Sequence, residues 1–228
     1  MESRRHATRS VALCTMASAG GSEHAARSES NGLQVGGLPR AAYEICWPTC
    51  LGCGKRMDFL AQVPLKRPLP LAVRSDLALV FACEGSSDSC RPQHQFMGYN
   101  AVILQKGTPA KELQSSKQLS RYVCAEMEVA TEPDPGDLEF LANPELCDRV
   151  HHLTKIGGVP RWREHEVCRT PFCPWCGSEM KLILQLHATD RDWTSGEIGV
   201  ESNFTGRGYA FVCPKECADV GAFLFDRY

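Results

Sequence analysis

Short apolar runs, each closed by Gly, Pro or a cluster of polar residues, set the pattern of this chain: Met57 to Val63, Leu77 to Cys83, Asn100 to Gln105, Met180 to His187, Tyr209 to Cys213 and Ala222 to Phe225. Runs of this length between turn residues predict strands rather than helices. The stretch from Pro64 to Pro70, with three prolines, predicts a loop that cannot continue the strand before it. One helix is predicted: Asn143-Pro144 carries the N-cap and first-turn signature, so Glu145 to Leu153 reads as about two helical turns. The expected class is therefore mostly β or α+β, built of zinc-ribbon-like β modules with a short helix between them.

The pattern occurs twice. Val35-Gly36-Gly37-Leu38-Pro39-Arg40 matches Ile156-Gly157-Gly158-Val159-Pro160-Arg161 at an offset of 121 residues, and Glu44 and Cys46 match Glu166 and Cys168 at 122. Cys50, Cys53, Gly54, Met57 and Gln62 then match Cys173, Cys176, Gly177, Met180 and Gln185 at 123. An offset that drifts by one residue at two loop positions marks an internal duplication with small insertions. The organisation read from it is a tail (1–32) without fixed structure, a first module (33–105), an irregular acidic linker with the short helix (106–153), and a second module (154–228). Each module is near the size at which a hydrophobic core is marginal and a structural metal becomes useful.

The chemistry lies in the cysteines. Cys50-Leu51-Gly52-Cys53-Gly54 and Cys173-Pro174-Trp175-Cys176-Gly177 are tight turns whose sulfurs face one way, and the glycine supplies the positive φ that ends them. Cys83 and Cys90 answer the first turn; Cys213 and Cys217 answer the second. Each set is expected to form a tetrahedral thiolate cage around zinc, giving two structural ions. In the first set His94 competes with Cys90 as the last ligand, because the spacing from Cys83 is wide. Four protein ligands leave no position for a reacting water, so the cages are read as structural. Cys46 and Cys168, before each turn, are read as small packing residues, with spare ligands or a redox pair as the alternative. Gln62 and Gln185, inside apolar strands, are expected to bond a loop to the sheet. His151, His152 and His187 have no partner at a recognisable catalytic spacing, and Asp190 and Asp192 read as loop residues.

The formal charge of −2 would fall to about −6 with two four-thiolate zinc sites. That balance does not favour nonspecific nucleic-acid binding, which a basic stripe of Lys55, Arg56, Lys66 and Arg67 beside an exposed aromatic would revive. No run approaches the ~18 apolar residues of a membrane span. Thirteen cysteines without a signal-like apolar segment point to a reducing, cytoplasmic setting in which thiols bind metal. The serine- and arginine-rich tail also admits an organelle transit segment, against which Glu2, Glu23 and Glu29 count. Motifs for dinucleotide, phosphate-loop, zincin and serine-hydrolase chemistry are absent from the sequence.

Lys155-Ile156-Gly157-Gly158-Val159-Pro160-Arg161-Trp162, then the Cys173 turn with Met180 and Leu184-Gln185-Leu186, then Gly208-Tyr209-Ala210-Phe211-Val212-Cys213, resembles the YwqG-like family of uncharacterised proteins. The same residues are similar to the zinc-ribbon-bearing programmed-cell-death-two family, which shares the Gly-Gly-x-Pro-x-Trp turn, the Cys-x-x-Cys-Gly turn and the strand glutamine. The likeness is carried by 154–228 and more weakly by the first module, where Ala41 stands opposite Trp162. The second resemblance implies cytoplasmic or nuclear escort of a ribosomal protein, although this chain lacks that family's long insertions between halves.

These readings converge on a non-enzymatic, zinc-stabilised module that binds or escorts a protein partner. A thiol switch that releases zinc on oxidation is the alternative, and an enzyme with a site in the cleft between modules is a second one.

Overall fold

The computed structural model describes residues 10–16, 33–66, 71, 73–83, 90–91, 94–108, 111–112, 125–133, 154–162, 169–188 and 206–227. Among them are twelve strands and no helix: β1 (Ser10–Met16), β2 (Leu33–Val35), β3 (Arg40–Ala41), β4 (Asp58–Pro64), β5 (Leu77–Ala82), β6 (Asn100–Gln105), β7 (Lys111–Glu112), β8 (Ala125–Pro133), β9 (Thr154–Ile156), β10 (Lys181–Ala188), β11 (Gly206–Val212) and β12 (Val220–Arg227). β3 and β7 pair as a small separate ribbon. The other ten form one antiparallel sheet that curls into a closed barrel in the order β1-β8-β2-β4-β5-β6-β12-β11-β10-β9. Closure comes from β1, which pairs with β8 on one side and β9 on the other.

The duplication accounts for this order. The first copy supplies β2-β4-β5-β6 and the second supplies β9-β10-β11-β12, and the copies meet where their last strands pair, Ile103 opposite Val220 and Val102 opposite Gly221. Read outward from that seam, each half runs through the same elements in the same sequence. β8 and β1 fill the gap left between the two first strands. The halves agree in detail: both β4–β5 and β10–β11 shift register at equivalent places, between Phe59 and Ala61 and between Leu182 and Leu184. At each bulge the extra residue's carbonyl accepts from the Gly-Gly turn, Gly36 N–H to Leu60 O at 2.8 Å and Gly157 N–H to Ile183 O at 3.3 Å. All four turn glycines have φ between +66° and +73°, a conformation open to glycine at little cost.

Side chains alternate along each strand, so a strand buried on both faces feeds two cores. On β5, Ala78, Val80 and Ala82 join a large cluster with Leu33, Val63, Leu104, Ile156, Ile183, Leu186, Val212 and Phe223. Strands from opposite sides of the ring can meet only across its interior, so this cluster fills the barrel and belongs to both copies. The intervening Leu77, Leu79 and Phe81 face outward and pack beneath Cys50, Cys83 and Cys90. In the second copy Tyr209 and Phe211 of β11, with Leu224 of β12, do the same beneath Cys173 and Cys213. Each cysteine set is thus mounted on the outside of the barrel wall, over its own apolar cushion.

Two expectations are corrected, and a third falls on residues outside the described ones. The chain is all-β in its described residues, and the helix predicted for 145–153 lies outside them. Residues 10–16, expected to lack fixed structure, form β1, the strand that closes the ring. The segment read as an irregular linker supplies β7 and β8, and β8 bridges β1 to β2. Its acidic residues do not keep it out of the sheet, because an antiparallel strand needs only its backbone paired. The copies consequently share one continuous sheet rather than forming two free-standing ribbons.

Candidate metal centres

Each cysteine turn is built by the same short ladder. Cys50 N–H donates to Lys55 O at 2.8 Å, Gly54 N–H to Cys50 O at 2.8 Å and Met57 N–H to Pro48 O at 3.0 Å. In the second copy Cys173 N–H donates to Ser178 O at 2.9 Å, Gly177 N–H to Cys173 O at 2.9 Å and Met180 N–H to Pro171 O at 2.9 Å. Gly54 and Gly177 have φ of +68° and +65°, and nothing lies within 4 Å of where their Cβ atoms would stand. The glycine is therefore required by the backbone and not by crowding.

The ends of β5 and β11 deliver Cys83 and Cys213 to these turns. The result is two four-cysteine clusters, Cys50, Cys53, Cys83 and Cys90 in one and Cys173, Cys176, Cys213 and Cys217 in the other, with all sulfurs of a cluster within 4.8 Å of one another. In the first, Sγ–Sγ distances are 3.7 Å for Cys50–Cys90, 3.8 Å for Cys53–Cys83 and 3.6 Å for Cys83–Cys90. In the second, Cys176–Cys213 is 3.6 Å and Cys213–Cys217 is 3.8 Å. A tetrahedral ion with metal–sulfur bonds of about 2.3 Å requires edges of roughly 3.8 Å. Disulfides would need about 2.05 Å, and none of the eight cysteines is in one. Both clusters can hold a metal ion, and their geometry is consistent with zinc.

The sequence left Cys90 and His94 in competition. Cys90 is buried within the cluster while His94 is exposed and outside it. Cys46 is also exposed, which corrects the packing role expected of it. Cys168 lies outside the described residues. The two strand glutamines act as expected: Gln62 Oε1 accepts from Arg40 N–H at 2.8 Å and Gln185 Oε1 from Arg161 N–H at 3.0 Å. His187 lies on β10, while His151, His152, Asp190 and Asp192 lie outside the described residues.

The clusters differ in exposure and in proton affinity. Three of the four sulfur residues are buried in the first, two in the second, where Cys217 is exposed. The Ser178 hydroxyl and N–H hold the Cys176 thiol down at about 6, so this sulfur is a ready thiolate, the form that binds metal. Hydrogen bonding to Cys176, with burial adding to it, pushes Cys217 up to about 12. Burial raises Cys50. Ser178 was not singled out from the sequence. Its only signal there is a hydroxyl directly after the Cys-x-x-Cys-Gly turn.

Around the clusters the surface carries apolar side chains. Leu51 inside the first turn is 79% exposed, with Met97 at 58%; Leu51 N–H donates to Gly98 O at 2.9 Å, which holds the two loops together. On the second turn Trp175 is 59% and Phe172 63% exposed.

A scan of protein-family models finds no match to this chain, and a search of curated proteins finds no relative.

Proposed function

We propose that the protein is a non-enzymatic, zinc-stabilised module that binds or escorts a protein partner. The observation that carries this reading is the pairing of closed four-cysteine sets with exposed apolar turns. Four thiolates saturate a tetrahedral ion and leave no position for substrate, so the ion's role is to fix the turn. The turn then holds Leu51, Phe172 and Trp175 in water instead of in the core, an arrangement that suits protein contact.

Metal analysis of the purified protein tests the foundation: about two zinc equivalents are expected, falling to about one in Cys176→Ser. A metal-free protein that still folds cooperatively ends this reading. For the contact surface, site-specific photocrosslinking from position 175 should label a defined partner in cells, and Leu51→Ser with Phe172→Ser should abolish the adduct without loss of zinc. An adduct unchanged in that variant would show that the turns are not the surface.

A thiol switch is the second reading, favoured by the exposed Cys217 and the low-lying Cys176 thiol. Hydrogen peroxide would take two electrons from two cluster thiolates, forming a disulfide, releasing the ion and yielding water. Zinc release at mild peroxide, reversed by a dithiol, distinguishes this from a purely structural site.

A further inference from the structure

One carboxylate in the second cluster's own ligand loop is used for something other than metal. Glu216 precedes the ligand Cys217, is 7% exposed, and has φ of +45°, a conformation uncommon for a non-glycine residue. Its N–H donates to Cys213 O at 2.9 Å, which closes the loop between the third and fourth ligands. Its side chain reaches into the other copy. Oε1 accepts from Ser75 N–H at 2.8 Å and Oε2 from Arg74 N–H at 2.7 Å and Arg74 Nε–H at 3.0 Å. Arg74 in turn donates through its terminal nitrogen to Lys215 O at 2.8 Å and Glu216 O at 2.9 Å.

Arg74 and Ser75 belong to the loop between β4 and β5 of the first copy. Five hydrogen bonds therefore join that loop to the short turn between two sulfurs of the second cluster. The exposed half of the Arg74 ion pair contributes little by itself. The two backbone donors on a buried carboxylate contribute more, because they are held by the fold and charge-assisted. For the carboxylate to meet them, the Cys213–Cys217 turn must keep its tight shape with a left-handed residue at Glu216. An ion bound to Cys213 and Cys217 tethers both ends of that turn.

We propose that Glu216 is a metal-dependent clasp: the ion in the second cluster and the docking of the first copy's β4–β5 loop stabilise each other, and Arg74, which bonds to no cluster sulfur, controls how firmly that ion is held. This rests on the reading that the second cluster binds zinc. Coupling is reciprocal, so whatever the ion adds to the clasp the clasp returns to the ion. The first cluster lies on the other copy's cushion and serves as an internal reference.

The test is zinc transfer to a chromophoric chelator from the full-length protein, followed as two equivalents assigned with Cys53→Ser and Cys176→Ser. In Glu216→Ala the equivalent from the second cluster should be held roughly 10–100-fold less tightly, the range for residues that support metal ligands from outside. Arg74→Ala should shift the same equivalent in the same direction by less, since it leaves both backbone donors in place. Hydrogen exchange provides the reverse measurement: in Cys176→Ser the amides of Arg74 and Ser75 should lose more protection than those of β4 and β5, which share only the general loss of stability. Equal loosening of both equivalents in the two clasp variants would reduce the effect to general destabilisation and overturn the proposal. Wild-type retention in both variants, or unchanged exchange at Arg74 and Ser75, would overturn it too. A wild-type protein with no zinc in the second cluster would remove the functional reading beneath it, an outcome visible before any clasp variant is made.

Discussion

The two copies agree at the four-cysteine clusters and at the buried amides and diverge where only space has to be filled. The cysteine turns, the bulges and the glutamine bonds correspond residue for residue, whereas the outer cushions do not. Counting back from the third cysteine, Leu77 and Leu79 of the first copy stand where the second has Arg207 and Tyr209. In that second copy Tyr209 Oη donates to Arg161 O at 2.7 Å and Arg207 Nη1 to the same oxygen at 3.2 Å. Each copy nevertheless lays a tryptophan against the phenylalanine two places before that cysteine. Trp47 meets Phe81 edge-on at 5.2 Å, and Trp162 stacks on Phe211 at 5.9 Å while touching Tyr209 at 4.3 Å. These tryptophans come from non-equivalent positions, one just before its turn and the other near the Gly-Gly corner. The lesson is that volume beneath the cluster is required and its source is not.

The largest effect should follow from the sulfurs. Zinc binding in small folding-coupled sites supplies about 10–16 kcal/mol, more than many small domains have in total stability. Because both copies build one sheet, Cys50→Ser and Cys173→Ser should each lower the melting temperature of the whole protein in a single transition, read by circular dichroism. Two separate transitions would mean that the copies melt independently.

Next comes the cushion. Trp162→Ala removes a buried indole from two ring contacts and should cost about 3–5 kcal/mol in denaturant unfolding. Trp47→Ala should cost less, because Trp47 is only half-buried and its indole N–H bonds a single carbonyl, Met57 O at 2.8 Å. Equal losses would contradict the account of unequal cushions.

Replacing Gln62 or Gln185 with leucine strands the backbone N–H of Arg40 or Arg161, a penalty of about 1–3 kcal/mol each. The loss should be larger at 185, where the donor residue is buried, than at 62, where it is half-buried. The smallest and most even effect belongs to Gly54→Ala and Gly177→Ala. Open space surrounds both positions, so only the left-handed backbone is penalised, by about 1–2 kcal/mol. Matched losses would show that the two turns carry the same backbone requirement.

Much of this was legible in the sequence because its signals are local. The six long apolar strands, both Cys-x-x-Cys-Gly turns and the Gly-Gly corners are each defined within a few residues, and the more distant Cys83 and Cys90, Cys213 and Cys217 were found because the motif occurs twice. The barrel was not legible, since its closure depends on pairings between remote segments. Residues 125–133 contain three glutamates, and that acidity reads as a solvated strip. The alternation Ala125, Met127, Val129 against Glu126, Glu128 is nevertheless a strand period. β2 and β9 are three residues long, too short to register as a period. Glu216 was invisible for another reason: its partners lie 141 and 142 residues away, and nothing near it in the chain announces them.

The position of β1 bears on how the molecule assembles. As a nascent chain leaves the ribosome its first strand has no neighbour to zip against until residues 125–133 have been made, and no second neighbour until 154–156 follow. Such remote pairings carry a loop-closure cost that slows folding and prolongs the exposure of unpaired edges. The hoop must be the last thing fastened, so an opened form with β1 undocked and both four-cysteine clusters already assembled is the intermediate to look for in refolding kinetics.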